Sequence, residues 1–405
     1  MQRFTLTQMS VRRRGIPPRV WMVLAMILVL SGIVLWAVRC SRRPAARSAP
    51  PPAVSPAQSA PRPQAVLPWK DLRAPTARPL APLVDMAATF QPTASGRTES
   101  ALFGSVRTAE RGGRDMSSFH EGVDIAPLGR DRSGDPTDMV MAIAPGTVAY
   151  ANRVAGNSNY GKYVVLLHRD PIGEVYSLYG HLADVEASVQ PGALVRPGSV
   201  LGRMGHTSST GIPGARAHVH LEIGLINNSR FATWYRAQKL VPDHGLYHGQ
   251  NFLGVDPLAF FTAQYADPAL HFGRFLAALP VAFEIVLRVE QPLDFFQRYE
   301  ALWHGPLVGG ATVFGCTANG LPVSGRPATV AEAAALGSAV ALVQNVNAEA
   351  LGRNGCHLVT REGQSVAITA GGRRWLEVLT YGSGWSGARV ATPPPARSAS
   401  GPRRR

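Results

Sequence analysis

The pattern of apolar and polar positions divides this chain into unlike parts. Residues 20–38, VWMVLAMILVLSGIVLWAV, run for 19 residues without a charge, a length that spans a bilayer. Arg39 follows directly, and the run is longer than the apolar core of a cleavable signal. The pattern predicts a retained transmembrane signal-anchor behind a basic cytoplasmic N-terminus at 1–19, with cleavage after it as the alternative. Residues 39–86 are rich in Pro, Ala, Arg and Ser, too poor in apolar surface to fold, and are expected to act as a spacer. From 87 to 265 apolar residues come in short β-branched runs cut by Gly, Pro and Asn, as in MVMAIAPGTVAYANRV and GKYVVLLHRD. EVYSLYGHL alternates, and VQPGALVRPGSVLGRMG repeats Pro-Gly turns between apolar residues. This predicts a mainly β domain, with no competing helical spacing before Trp234.

Residues 270–385 read differently. In VAFEIVLRVE, Phe283, Ile285, Leu287 and Val289 fall on one face of a strand. Phe296, Tyr299 and Trp303 follow at helical spacing. Thr329 and Glu332 fit a capping box before an Ala-rich helix, and CHLVTREGQSVAIT reads as a hairpin. The expectation is a small C-terminal α+β domain with no motif of its own, then a disordered tail over 386–405.

Charge changes this picture little. The net charge is +15, but residues 1–47 and 389–405 hold 14 of the 41 basic residues and no acid. The remaining body carries 27 basic and 26 acidic residues. The basic character lives in the tails, so no basic face is implied and a nucleic-acid partner loses its support. Five arginines precede the apolar run and four follow closely, so the positive-inside rule barely sets orientation. Of the three cysteines, Cys40 sits at the membrane edge. Cys316 and Cys356 would pair in an oxidising compartment or remain two buried thiols.

The candidate chemistry begins at ARAHVHLEIG. His218 and His220 flank Val219, and on a strand residues two apart share a face. An isolated pair of this kind reads first as two buried, hydrogen-bonded histidines. It is not alone. FHEGVDIAP places His120 and Asp124 four residues apart at a loop-to-strand junction. Glu121 does not complete a helical HExxH zinc motif, because position 124 is Asp and the stretch is not helical. YSLYGHLADV ends a strand at His181. Zinc hydrolases need three nitrogen or carboxylate ligands and one open position, and further histidines can move a proton and stabilise an oxyanion. Four histidines and one aspartate supply that inventory.

FHEGVDIAP, AIAPGTVAYA, NYGKYVVLLH, YSLYGHL, VQPGALVRPGSVLGRMG, HVHLEI and VDPLAFF together resemble the lysostaphin-type (LytM-type) zinc metallopeptidases, peptidoglycan endopeptidases, in the order that family has them. The resemblance implies the family's open antiparallel β-sheet (duplicated hybrid motif type) with a groove along it. It implies His120, Asp124 and His220 as Zn2+ ligands, and His181 and His218 as base and transition-state stabiliser. The implied substrate is peptidoglycan peptides, met in the periplasm or outside the cell from a single-pass inner-membrane anchor, with cell-wall assembly proteins as further partners. A non-catalytic peptidoglycan-binding or regulatory module is the alternative. Two loops depart from the family pattern. STGIPGARAH is five residues longer than the usual STGPH, and the loop after DIAP is long and polar. Tyr160 is expected at the groove, His206 near it, and His168 within the structure. His244, His248, His271, His304 and His357 show no partner pattern.

Overall fold

The computed structural model describes residues 69–387, apart from 82–83, 112–113, 340, 353–356, 364 and 386. The apolar run at 20–38, Cys40, Cys356 and nearly all of the expected tail lie outside the described residues. Among the described residues no helix is long and apolar enough to cross a membrane.

In chain order the first strands are β1 (Val106–Arg111), β2 (Arg114–Phe119), β3 (Val123–Ile125), β4 (Met139–Met141), β5 (Gly146–Asn152), β6 (Lys162–Asp170), β7 (Gly173–Leu182), β8 (Asp184–Val185), β9 (Leu194–Val195), β10 (Val200–Arg203), β11 (Val219–Ile226) and β12 (Phe252–Val255). The main sheet runs β12-β11-β7-β6-β5-β9, with β3 pairing β11 at the same edge. All its pairings are antiparallel. β4, β10 and β8 form a smaller sheet, and β1 and β2 a hairpin.

β6 and β7 are its longest strands and are buried on both faces. The period of two sends Val164 and Leu166 into the main core, while Tyr163 and Val165 join Tyr176, Leu178, Ile226 and Phe252 in a second cluster on the opposite face. Near-continuous apolar character in β6 therefore reflects burial on two sides.

The C-terminal part mixes strands and helices. It contains β13 (Phe283–Val289), β14 (Gly310–Cys316), β15 (Pro322–Pro327), β16 (Ala341–Gln344), β17 (Val359–Glu362) and β18 (Ser365–Ile368). The order β15-β14-β13-β16 makes one antiparallel sheet, and β17 and β18 a hairpin. Thr329 and Glu332 close the reciprocal cap on helix Val330–Leu336. Cys316 is fully buried, and burial pushes its thiol well up. One continuous core holds Val164 and Leu221 together with Phe283, Phe314 and Leu376.

The spacer reading fails for part of its span. Trp69 is fully buried, edge-on to Phe260 at 5.1 Å, and donates its indole N–H to Asp170 at 2.8 Å. Leu80 is buried in the same core. The buried aromatic ring with its indole N–H satisfied ties this stretch to the core, so ordered packing begins no later than Trp69.

Candidate metal centre and groove

Strand register assembles the site. β11 places His220 opposite Asp124 of β3 on one side and Gly180 of β7 on the other. His120 stands three residues before β3. His218 precedes β11 and bridges to Gly205. Val219 and Leu221 alternate into the core, as the period of two requires. Gly122 makes the close approach possible: a Cβ there would lie 2.9 Å from His220 Cε1 and 3.0 Å from Glu222 Cγ.

His120 Nε2 lies 3.0 Å from Asp124 Oδ1 and 3.1 Å from His220 Nδ1, and His220 Nδ1 lies 2.9 Å from Asp124 Oδ1. The three ligand atoms sit within 4.8 Å of one another and all three residues are buried. The other ring nitrogens are committed. His120 donates Nδ1–H to the Leu102 carbonyl at 2.9 Å, and His220 donates Nε2–H to Glu222 at 2.9 Å. In the neutral tautomers, two nitrogen lone pairs and a carboxylate oxygen therefore face one another at hydrogen-bond distance. That arrangement calls for a cation among them, and the donor set of two imidazoles and one carboxylate suits zinc.

The remaining predicted residues stand beside it. The His181 ring lies 4.7 Å from that of His218 and 5.8 Å from that of His220. His181 donates Nδ1–H to Thr207 O at 2.9 Å, which leaves Nε2 as its acceptor. His218 donates Nδ1–H to Arg216 O at 2.7 Å, with Nε2 3.4 Å from Asp124 Oδ1.

Burial and charge set the protonation states. Burial holds His120 below its ordinary value, against the pull of Asp124. Burial, then repulsion from His218 and His220, holds His181 well below its own. Burial would raise Asp124, but the imidazoles of His120 and His218 outweigh it and keep the carboxyl well below the usual range. Burial also disfavours charge on His220, yet Asp124 and Glu222 outweigh it and carry the pKa to about 9. The Asp124 carboxylate thus stays ionised among imidazoles, and His220, between Asp124 and Glu222, favours charge.

These residues lie along an open groove of about 1690 Å³. Tyr160 lines it as expected and donates its hydroxyl to Glu222 at 2.7 Å. His168 is internal, bonded to Pro145 O and the Ser177 hydroxyl. His206 bonds Ile212 O at 2.8 Å and lies outside the lining. His244 and His248 are in it, although no partner pattern marks them in the sequence. His244 reaches the Tyr150 hydroxyl and the Asn157 carbonyl, each at 3.0 Å, and His248 stacks on Phe231 at 5.5 Å. The C-terminal part supports this wall. Arg374 lies over the Trp234 ring at 5.1 Å and donates to Gln250 at 3.1 Å.

Sequence reasoning missed three site residues. Glu222 was legible, since it is the third same-face position of HVHLE. Glu121, set aside with the helical motif, lines the groove; burial, then the neighbouring Glu222, carries its pKa to about 7. Arg107 comes from β1, donates to Ser100 O and Asp124 Oδ2, and had no local signal.

Residues 118–232 match the model of peptidase family M23. No curated protein matches the chain. Among solved structures, Csd3 from Helicobacter pylori is 18% identical, with 38% of this chain and 31% of that chain covered and a TM-score of 0.22. The chain thus spans less than a third of that protein. The catalytic domain of lysostaphin, described as an antimicrobial peptidase from Staphylococcus simulans, is 19% identical, with 40% and 88% covered and a TM-score of 0.25. A catalytic-domain variant of EnpA, a prophage-encoded M23 protein from Enterococcus faecalis, is 24% identical, with 29% and 80% covered and a TM-score of 0.20. The match to the peptidase M23 family thus covers residues 118–232, the segment that holds His120, Asp124, His181, His218 and His220.

Proposed function

We propose that this chain is a membrane-anchored, zinc-dependent endopeptidase that hydrolyses peptide bonds in peptidoglycan stem or cross-link peptides. Residues 20–38 would hold it in the inner membrane, with the groove in the periplasm or outside the cell. The observation that carries this reading is the convergence of His120 Nε2, Asp124 Oδ1 and His220 Nδ1 within 4.8 Å, beside two further histidines in an open groove.

Zinc held by those three residues would supply Lewis acidity and lower the pKa of a water towards ~7. The chain's own groups do the rest. His181 keeps Nδ1–H on Thr207 and takes the proton at Nε2. Burial keeps it neutral, the form a base must have. His218, its Nδ1–H held by Arg216 O, would stabilise the developing oxyanion in its protonated form, through Nε2–H. Leu102 O and Glu222 fix the rings of His120 and His220, so the ligands do not reorganise during turnover. No Ser or Cys nucleophile is required.

The test is zinc content together with muropeptide digestion by the full-length chain, as purified, after chelation, and after zinc is restored. One zinc per chain, with cleavage lost on chelation and regained with zinc, is the expected result. Bound zinc without cleavage would favour a non-catalytic peptidoglycan-binding or regulatory module. A chain that takes up no zinc would overturn the reading.

A further inference from the structure

The two loops that depart from the family pattern are tied to each other. The Arg130 guanidinium donates to Gly134 O at 2.8 Å within its own loop, and to Gly214 O at 2.9 Å and Ala215 O at 3.0 Å in the other. His206 adds a bond to Ile212 O at 2.8 Å. The short turn Gly214–Arg216 is thus anchored from outside, and from inside by His218, which donates to Arg216 O. The extra residues form a braced lip whose last residue stands two positions before a histidine of the site.

Three arginines line the groove. Arg97 pairs with Glu99 at 3.7 Å. Arg107 is engaged by Asp124 and Ser100 O. Arg216 is half-buried, yet its guanidinium has no hydrogen bond or ion pair among the described residues. A guanidinium is a planar fork of donors matched to a carboxylate, and a charged hydrogen bond of that kind strengthens as water is excluded. A brace that fixes the backbone on both sides of an unpaired arginine beside a reaction centre presents that arginine to whatever fills the groove.

We propose that Arg216 is a specificity-determining residue that binds a free carboxylate on the substrate residue next to the scissile amide. The proposal rests on the peptidase reading for its substrate class. It commits to an acidic rather than an amidated peptide. A dimer cross-linked between D-Ala and diaminopimelate is a suitable probe, because the residue on the amine side of its cross-link carries a free carboxylate.

The experiment compares that dimer with its counterpart carrying a carboxamide in place of that carboxylate. Binding to the zinc-loaded full-length chain is measured by calorimetry, and cleavage by chromatography. The acid form is expected to bind about ten- to a hundredfold tighter, the range of one charged hydrogen-bonded pair. Arg216→Gln should bring the acid down to the level of the amide, leave the amide unchanged and keep one zinc per chain. Arg216→Lys should fall between, because it lacks the fork. Equal binding of acid and amide by the unsubstituted chain, or an equal loss of both in Arg216→Gln, would overturn the proposal. Discrimination without cleavage would keep the carboxylate site and sink the peptidase reading. Cleavage without discrimination would do the reverse.

Discussion

His181 sits at φ 61°, in the left-handed region that residues with side chains occupy at a cost of about 1–3 kcal/mol. Its surroundings impose that conformation. Its backbone N–H donates to Tyr160 O at 2.8 Å, and its ring to Thr207 O at 2.9 Å. Together they aim the second ring nitrogen at the site. The residues thus divide into those that would hold the metal and those that would act beside it. Asp124→Ala or His220→Ala should lose both zinc and cleavage, as metal analysis with a digestion assay would show. His181→Ala should retain zinc and lose about 10²- to 10⁴-fold in turnover. Loss of zinc in His181→Ala would reverse the division of roles. Acidity offers a separate check. The pKa of His181 is lowered, so its base form persists as pH falls. The limb of kcat/KM that belongs to it should therefore lie below pH 6.5, measured between pH 5 and 8 with zinc content monitored. A limb at or above 6.5 with zinc still bound would remove His181 as the base.

At the scale of elements, the centre is a product of register. A shift of one residue in β11 would turn both histidines into the core and Val219 outward. The approach at Gly122 guards that register. Gly122→Ala should cost about 1–3 kcal/mol and weaken zinc binding at least tenfold, read by unfolding and by zinc titration of the same sample. Unchanged zinc affinity would mean that β3 can yield without moving Asp124. Further along, β6 carries His168 fully buried, where burial lowers its pKa to about 4. Between pH 4 and 6.5 the unfolded chain binds this proton and the folded chain does not. The stability is therefore complete above 6.5 and falls with pH, by about 3 kcal/mol in all. Urea unfolding at pH 5 and pH 7 should show the decline, and His168→Gln should flatten it.

These elements also show what the sequence could and could not convey. Period-two spacing put His218, His220 and Glu222 on one face, and the Thr329 cap was visible from two residues. The side chains that join distant segments were not visible. Nothing near Arg107 announces Asp124, and nothing near His244 announces Tyr150, because those contacts depend on how separate strands and loops pack. Trp69 misled for a related reason: its neighbours have spacer composition, while its partners lie about a hundred residues away at Asp170 and still further at Phe260.

For the whole molecule, that tryptophan is a joint. Asp170 accepts hydrogen bonds from the Trp69 indole and from the backbone N–H of Phe272, each at 2.8 Å, so one carboxylate links the segment before the main sheet to the segment after it. Trp69→Ala should destabilise the chain by about 3–5 kcal/mol with no direct effect on zinc, measured by thermal unfolding beside metal analysis. A loss below 1 kcal/mol would mean that the joint is dispensable.

The matched segment, residues 118–232, stops short of β12. In the intact chain β12 pairs with residues 223–226 of β11, the same strand that carries His220. An excised fragment with those limits would leave that half of the strand with bare backbone donors and acceptors, a template for another chain to pair with. For protein engineering, the smallest transplantable unit is therefore larger than the segment that bears the chemistry. A graft or truncation must carry Trp69 at one end and β12 at the other, or it leaves an open strand edge that invites aggregation.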